Sequence, residues 1–466
     1  MDRSHAAPKP PVVVLGGGLA GITAALALLK GGFPVTLVEA RRSLGGRVFS
    51  FPDQASGHWV DNGQHIFLGC CTYLLRFFAE LGVSPQCHLQ PRLRVPVRDQ
   101  ANGTALLSAS PLPAPFHLLP ALLRYPHLSL LDKWRVVSTL VQAKFIRRHQ
   151  PALEQMSFYQ WLRQRGHSQR AVEKWWDFLV TPTLNDHAQD VSASMGLMIF
   201  QEGVLAGRHH ADLGYPLDDL SQCIGAPAQA RLEALGAILR LGRPVRRMVV
   251  EAGRVQGVEL AGGEIVAGQV YVSALPFDSL LSVLPEDAAA GPFFEQLRAL
   301  QFSPIVNIHL WYDRPVMEEE FCAFVDGPLQ WVFNRTRIQA RLPDRAAPPG
   351  PAADAGQHLC ISLSAAWQHI DQSREALSRQ FVAAMAKAFP KARDAAVQRV
   401  VVVKQRHATF RCLPGVNQRR PGSRTPIANL FLAGEWTDTG WPSTMESAVR
   451  SGYNVAEAVA QSARQL

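Results

Sequence analysis

With 466 residues, 47% of them hydrophobic, the chain has the length for two domains of ordinary size and enough apolar residues to bury a core in each. Seven cysteines without a C-x-x-C pair argue against a disulfide framework or a zinc site and suit a reducing, cytoplasmic setting; residues 1–10 give no secretory leader, and no apolar run reaches the length of about 18 needed for a spanning helix. The net charge is +9, and the segment from Arg92 to Lys174, with 13 Lys/Arg against 4 Asp/Glu, accounts for all of it.

Val12-Val13-Val14-Leu15 reads as a strand buried on both faces. Gly16, Gly18 and Gly21 then complete G-x-G-x-x-G: a tight turn, a close approach to pyrophosphate and a close helix-to-strand contact. A helix is expected over about 20–30, its first residues, Leu19 and Ala20, presenting free N–H groups to phosphate, with Gly31-Gly32 ending it. Val35 to Val38 is the second strand. Glu39, 18 residues after Gly21, is placed to grip a ribose hydroxyl, with Ala40 beside it. Next comes Arg42-Ser43-Leu44-Gly45-Gly46-Arg47, and then Asp61-Asn62-Gly63-Gln64-His65 before a helix over about 73–81.

Residues 91–212 read as mostly helical. They contain leucine clusters (Leu118, Leu119, Leu122, Leu123; Leu128, Leu130, Leu131) followed by Trp134, Val137 and Leu140, interleaved with Lys133, Arg135, Lys144, Arg147 and Arg148. An apolar helical stripe beside cations suits peripheral contact with an anionic membrane, expected here at the inner membrane surface; a helix pair with a solvated basic face is the alternative. No nucleic-acid-binding motif accompanies the charge. A helix over 217–235 and a meander over 244–266 follow, with Val245 at the adenine, and Gln269 to Pro276, including Ala274, reads as a returning strand. Residues 300–409 carry strand signals at 305–312 and 399–403, and the Ala/Pro/Gly-rich stretch 346–356 is expected to be a mobile loop. Near the end, Leu430 to Ala433 is another buried strand leading into Gly434-Glu435, and a helix starts near Ser443, capped by Ser443 or Thr444, with Met445 and Ala448 in its first turns.

Two half-sites at opposite ends of the chain describe one nucleotide fold closed by both termini, and favour FAD over NAD. The expected architecture is α/β: a discontinuous Rossmann-like FAD-binding domain (1–90, 213–299 and 410–466) with an inserted α+β substrate domain (91–212 and 300–409). No metal is expected, and with no second dinucleotide fingerprint the electron donor is not encoded.

The R-x-x-G-G-R stretch resembles that of the flavin amine oxidase and carotenoid desaturase superfamily, where the arginine (here Arg42 or Arg47) and the glycine backbone at Gly46 approach the flavin pyrophosphate. Together with D-N-G-Q-H at 61–65, Lys404 to Phe410, Arg420-Pro421 and the tail W-T-x-T-G-x-P-x-T-x-E-x-A-V-R-S-G at 436–452, nearly the whole chain resembles the squalene-associated FAD-dependent desaturases of hydroxysqualene dehydroxylase type. In the superfamily an aspartate usually stands where Glu435 does, and Trp441 and Met445 occupy positions where smaller or branched aliphatic residues are expected. The resemblance implies that an allylic C–OH becomes C–H at the expense of reduced FAD, in bacterial squalene and hopanoid synthesis, on a hydrophobic isoprenoid. That chemistry needs a general acid, for which His65 and Asp61, then Glu446, are the candidates, and a dry cavity walled by aromatic residues, for which Trp436, Trp441, Trp175, Trp176 and Phe178 are candidates. Gly63, Gln64 and His65 are expected to line the flavin. An isoprenoid desaturase uses the same scaffold in the opposite direction. An amine oxidase, with Lys404 as the lysine near the ring, and a flavin-free membrane adaptor are the weaker alternatives.

Overall fold

Strand Val12–Leu15, buried along its whole length, lies at the centre of a five-stranded sheet in a computed structural model that describes residues 9–54, 57, 59–99, 102–342 and 356–464. The order is Ile238–Leu241, Val35–Glu39, Val12–Leu15, Val270–Ser273, Leu430–Leu432, and all four pairings are parallel. Pleating divides the central strand between two cores. Val12 and Val14 pack with helix Leu19–Lys30 and the C-terminal helix Met445–Ala463, while Val13 and Leu15 face the core that holds Met248, Val258 and Tyr271. Each such side chain contributes about 1.5–3 kcal/mol relative to exposure. The two helices approach so closely that a Cβ on Gly452 would lie 2.6 Å from the Ala20 carbonyl oxygen. The first and last parts of the chain thus close one layer.

Strands Val245–Glu251, Arg254–Leu260 and Ile265–Val266 form the expected antiparallel meander. The helix expected over 217–235 begins later. Leu213–Pro216 is a strand between Phe67–Leu68 and Cys87–Leu89, and helical turns start at Ser221–Gly225 and continue through Ala226–Ala234. The edge strand Ile238–Leu241 was not anticipated; its four residues carry too short an apolar signal.

The second body is built on a seven-stranded sheet: Val397–Phe410, Phe302–Tyr312, Gln357–Leu363, Trp331–Asn334, Phe321–Phe324, Arg94–Asp99, Gly103–Ser108. The segment 91–212 therefore opens as a hairpin, not a helix. Val95 and Val97 alternate with Arg94, Pro96 and Arg98, a two-residue period hidden by the leucine clusters that follow. From Phe116 onward it is helical. Apart from Gly356, the Ala/Pro/Gly-rich stretch 346–356 lies outside the described residues. Among the described residues no helix is long and apolar enough to cross a membrane.

Only part of the expected cationic face is free. Lys133 is buried and donates to the Leu123 carbonyl at 2.7 Å, Arg148 pairs with Glu202 at 2.8 Å and Arg135 is half-buried. Lys144 and Arg147 remain exposed, joined by Arg124.

Candidate active site: a dinucleotide cradle opening into an apolar cavity

The turn after Val12–Leu15 requires glycine. Gly16 has φ +102°, and a Cβ there would meet the Ala274 carbonyl oxygen at 2.9 Å. A Cβ on Gly21 would sit 1.9 Å from the Gly16 carbonyl oxygen, so its glycine serves the helix-to-strand contact. Gly45 donates to the Gly17 carbonyl at 2.8 Å, and Gly46, at φ +60°, brings its backbone against Gly18. Glu39 accepts from the N–H of Gly17 at 2.6 Å and of Arg41 at 2.8 Å, which fixes its carboxylate beside the glycine turn.

The C-terminal half-site meets this one directly. Arg47 Nη2 lies 2.5 Å from Glu435 Oε1, a buried carboxylate oxygen whose partner is this guanidinium and which has lone-pair capacity beyond the ion pair. The turn 434–442 is organised by Arg420, whose buried guanidinium donates to the carbonyls of Glu435, Thr437 and Trp441 at 3.2, 2.6 and 2.7 Å. Thr444 caps the last helix by accepting from Ser447 N–H, as expected from sequence. A glycine cradle, a helix N-terminus on either side and an acceptor with unused capacity are what a dinucleotide's pyrophosphate and ribityl hydroxyls require, so the residues fit FAD.

A cavity of about 740 Å³ runs from this cradle into the second body. Near the cradle it is lined by Gly16, Gly18, Leu19, Ala20, Glu39, Ala40, Gly46, Arg47, Val245 and Ala274, by Gly63, Gln64 and His65, and by Gly434, Glu435, Thr444, Met445 and Ala448. Two expected cofactor contacts do not reach it. Gly21 is spent on backbone packing. Arg42 is exposed, and Arg41 takes its place: it lines the cavity, donates to the Gly46 carbonyl at 2.9 Å and stacks on Phe49. Farther along, the walls are apolar: Leu93, Val95, Leu107, Leu118, Leu122, Leu140, Phe200 and Val204.

The three acid candidates separate sharply. Asp61 is buried outside the cavity, pairing with Arg335 at 3.0 Å and accepting from Ser50 Oγ at 2.7 Å and Leu220 N–H at 3.0 Å. Its carboxylate is committed to these partners. Glu446 borders the cavity, but its carboxylate accepts from Leu74 N–H at 2.7 Å, Tyr73 N–H at 3.2 Å and Arg450 at 2.7 Å, at the start of helix Thr72–Leu81. A carboxylate at a helix N-terminus completes the cap that this helix otherwise lacks. Glu446→Ala is expected to cost about 1–3 kcal/mol in urea unfolding. Turnover per bound flavin should stay within a few-fold of wild type; a loss of several orders of magnitude there would restore Glu446 as the acid.

His65 alone faces the cavity with a ring atom to spare. Its Nδ1 lies 3.1 Å from the Gly63 carbonyl, an acceptor, so Nδ1 carries the hydrogen and Nε2 bears the lone pair. Burial lowers its pKa below the ordinary value, outweighing the Gly63 carbonyl and Asp61, which act the other way. The other carboxylates at the cavity are engaged: Glu39 by backbone, Glu435 by Arg47, Glu202 by Arg148.

Among the aromatic candidates, Trp175, Phe178 and Trp441 line the cavity. Trp436 and Trp176 do not: the first donates to the Leu275 carbonyl at 3.0 Å, and the second packs against Phe158, Phe200 and His167. Sequence reasoning missed Trp331 and Phe333; Trp331 stacks on Phe178 and on Phe333, giving nearly parallel rings along the wall (interplanar angles 11° and 12°). It also missed Arg335 and Asn307. Arg335 Nη1 donates to Gln64 Oε1 at 2.9 Å, and Asn307 Nδ2 donates to the Asn62 carbonyl at 2.9 Å and packs so tightly on Gly63 that a Cβ there would be 2.4 Å away. Strand alternation on 302–312 puts Ile305 and Asn307 on one face, a signal that could have found Asn307; a buried arginine in a short helix leaves no such trace. Lys404 does not line the cavity and donates to the Gln372 carbonyl. Among the described residues no group of three or more His, Cys, Asp or Glu could hold a metal ion.

The profile of the flavin containing amine oxidoreductases matches residues 19–460. The chain is 29% identical to a 15-cis-phytoene desaturase of Synechococcus elongatus (96% of this chain, 95% of that one) and 27% identical to a hydroxysqualene dehydroxylase of Rhodopseudomonas palustris (97% and 99%). Its fold superposes on an oxidoreductase from Methanosarcina mazei with a TM-score of 0.70 at 19% identity, covering 96% of this chain and all of the other.

Proposed function

The chain belongs to the flavin containing amine oxidoreductase family, with FAD as its cofactor, and from that premise we propose that it reductively dehydroxylates hydroxysqualene to squalene. The observation that carries this reading is the cavity: one continuous space leads from the FAD cradle along apolar walls, with His65, whose Nε2 has no hydrogen-bond partner among the described residues, at the junction. A polar amine would leave those walls with nothing to pair; a long hydrocarbon fills them.

When bound and reduced, FAD would supply the hydride equivalent that replaces the hydroxyl, which leaves as water, and would itself end oxidised. The chain's own residues do the rest. The apolar walls exclude water. The Phe178, Trp331 and Phe333 rings offer π-faces to an allylic cation as the C–O bond breaks. The leaving hydroxyl needs a proton, and with Asp61 and Glu446 committed elsewhere, His65 is the group that can hold one at Nε2 and transfer it. The Gly63 carbonyl fixes which ring nitrogen faces the substrate.

The pH dependence follows from the sign of the His65 shift. Its pKa is lowered, so the imidazolium gains population only below the ordinary histidine value of about 6.5. Dehydroxylation is expected to speed up as pH falls through that range and level off near the lowered pKa; His65→Ala should flatten the profile and slow the reaction by about 10²–10⁴-fold.

The second reading, desaturation of an isoprenoid, draws support from the same atom and from the phytoene desaturase likeness. A bare Nε2 is a proton acceptor, as a C–H bond losing hydride and a neighbouring proton would need. That reaction would be lost, not gained, as pH falls. The limb on which activity rises separates the two readings.

A further inference from the structure

Most of the exposed large hydrophobic side chains among the described residues fall in one short part of the chain, from Leu106 to Phe145. Helix Leu130–Phe145 carries them as a stripe. Leu130 (83% exposed), Trp134 (66%), Val141 and Phe145 (78%) recur at helical spacing and point outward along a rod of about 24 Å. Phe116, Leu123 and Leu131 extend the patch sideways. A contiguous apolar surface of this kind is unusual on a protein that meets only water.

Two further observations identify its occupant. The first is charge. Between Leu106 and Arg148 the cations that stay exposed without an ion partner among the described residues are Arg124, Lys144 and Arg147; they stand at or just beyond the ends of these helices, flanking the apolar stripe. The second is continuity with the cavity. Phe116 and Val141 belong both to the exposed patch and to the cavity lining, and Val137 and Leu140, on the neighbouring face of the same helix, line it too. The apolar cavity therefore reaches the surface inside the patch.

We infer that helix Leu130–Phe145 and the segment 116–124 form a docking surface for an anionic lipid bilayer, with the helix lying in the interfacial plane and the mouth of the cavity pressed against the acyl region. Apolar side chains insert, while Arg124, Lys144 and Arg147 meet lipid phosphates. A water-insoluble substrate then passes sideways from bilayer to cavity without crossing water. The inference is independent of the direction in which hydride moves.

The test uses the full-length FAD-loaded protein and vesicles of pure phosphatidylcholine or of phosphatidylcholine mixed with phosphatidylglycerol. The wild type should float with the mixed vesicles at low salt and partly dissociate at high salt. The variant Leu130→Ser/Trp134→Ser/Phe145→Ser should stay in solution with unchanged flavin absorbance and melting temperature, and Lys144→Glu/Arg147→Glu should lose the preference for anionic vesicles. None of these side chains lines the cavity, so turnover of detergent-dispersed substrate should persist. A wild type that stays in solution with both vesicle types overturns the inference. So does a wild type that self-associates in ultracentrifugation and is rendered monomeric by the triple substitution without ever floating, because the patch is then an interface between copies.

Discussion

Arg335→Met should destabilise the folded protein by about 3–5 kcal/mol and sharply lower its FAD content, an effect larger than that of any other single side chain in the account. Arg335 is almost fully buried, and its guanidinium faces Asp61 at 3.0 Å, Asp219 at 3.7 Å and Gln64 at 2.9 Å. Methionine fills similar volume but leaves Asp61 as a buried carboxylate without its cation. It also frees Gln64, and with it the turn that presents Gly63 and His65 to the cavity. The arginine comes from the body carrying the seven-stranded sheet, whereas Asp61 pairs through Ser50 with the first part of the chain, so the substitution loosens the joint between the two. Arg335→Lys should recover part of the stability, since the charge remains, but less of the flavin, since one ammonium cannot reproduce the fork that reaches Asp61 and Gln64 together. Urea unfolding and the ratio of flavin to protein absorbance measure the two effects. An Arg335→Met protein with wild-type stability and flavin content would show that the ion pair is incidental.

The second large effect is a contrast between two glycines three residues apart. Gly18→Ala should fold normally yet bind FAD at least tenfold more weakly, a loss of about 1.4 kcal/mol or more. Its backbone is extended, with φ −77°, and the nearest atom to an added Cβ is the Gly46 Cα at 3.8 Å, so the protein itself tolerates the methyl. The methyl projects at the cradle, where a pyrophosphate must approach the backbone. Gly21→Ala should behave in the opposite order. Its Cβ would lie 1.9 Å from the Gly16 carbonyl oxygen, so helix and strand must separate, at a cost of about 3 kcal/mol, the upper end for overpacking. Flavin loss there follows from misfolding. Calorimetry of FAD binding alongside thermal unfolding distinguishes the pair; equal loss of stability in both variants would contradict the division of roles.

The glycine turn was legible in sequence because each glycine there answers a local demand: a positive φ at Gly16, a short contact at Gly21. The strands Val12–Leu15, Val35–Glu39, Val270–Ser273 and Leu430–Leu432 were legible because strands covered on both faces are rich in β-branched and apolar residues, with Thr36, Glu39 and Ser273 the few polar exceptions. What escaped depends on pairing across the chain. Nothing in Arg335-Thr336-Arg337 marks the first arginine as buried and the second as surface; only the fold brings Asp61 to it. For the same reason Asp61 and Glu446 stood beside His65 as acid candidates: a carboxylate near a flavin motif reads alike whether it faces substrate, pairs with Arg335 as Asp61 does, or accepts from the N–H groups of helix Thr72–Leu81 as Glu446 does. Charge counting over Arg92 to Lys174 likewise could not foresee that Lys133 turns inward to the Leu123 carbonyl. The aromatic wall was half read: Phe178 was anticipated, but its stacking partner Trp331, and Phe333 that stacks on Trp331, come from a strand far along the chain.

The proposed reaction is tested most directly by an anaerobic single turnover. The flavin is reduced photochemically, hydroxysqualene is added at a pH below the ordinary histidine value, the flavin absorbance is followed, and the lipid is extracted for mass spectrometry. Reoxidation of the flavin with one squalene formed per flavin is the predicted result. Flavin that stays reduced beside unchanged hydroxysqualene, with oxidised enzyme instead being reduced by an isoprenoid hydrocarbon, would contradict it and leave desaturation as the activity.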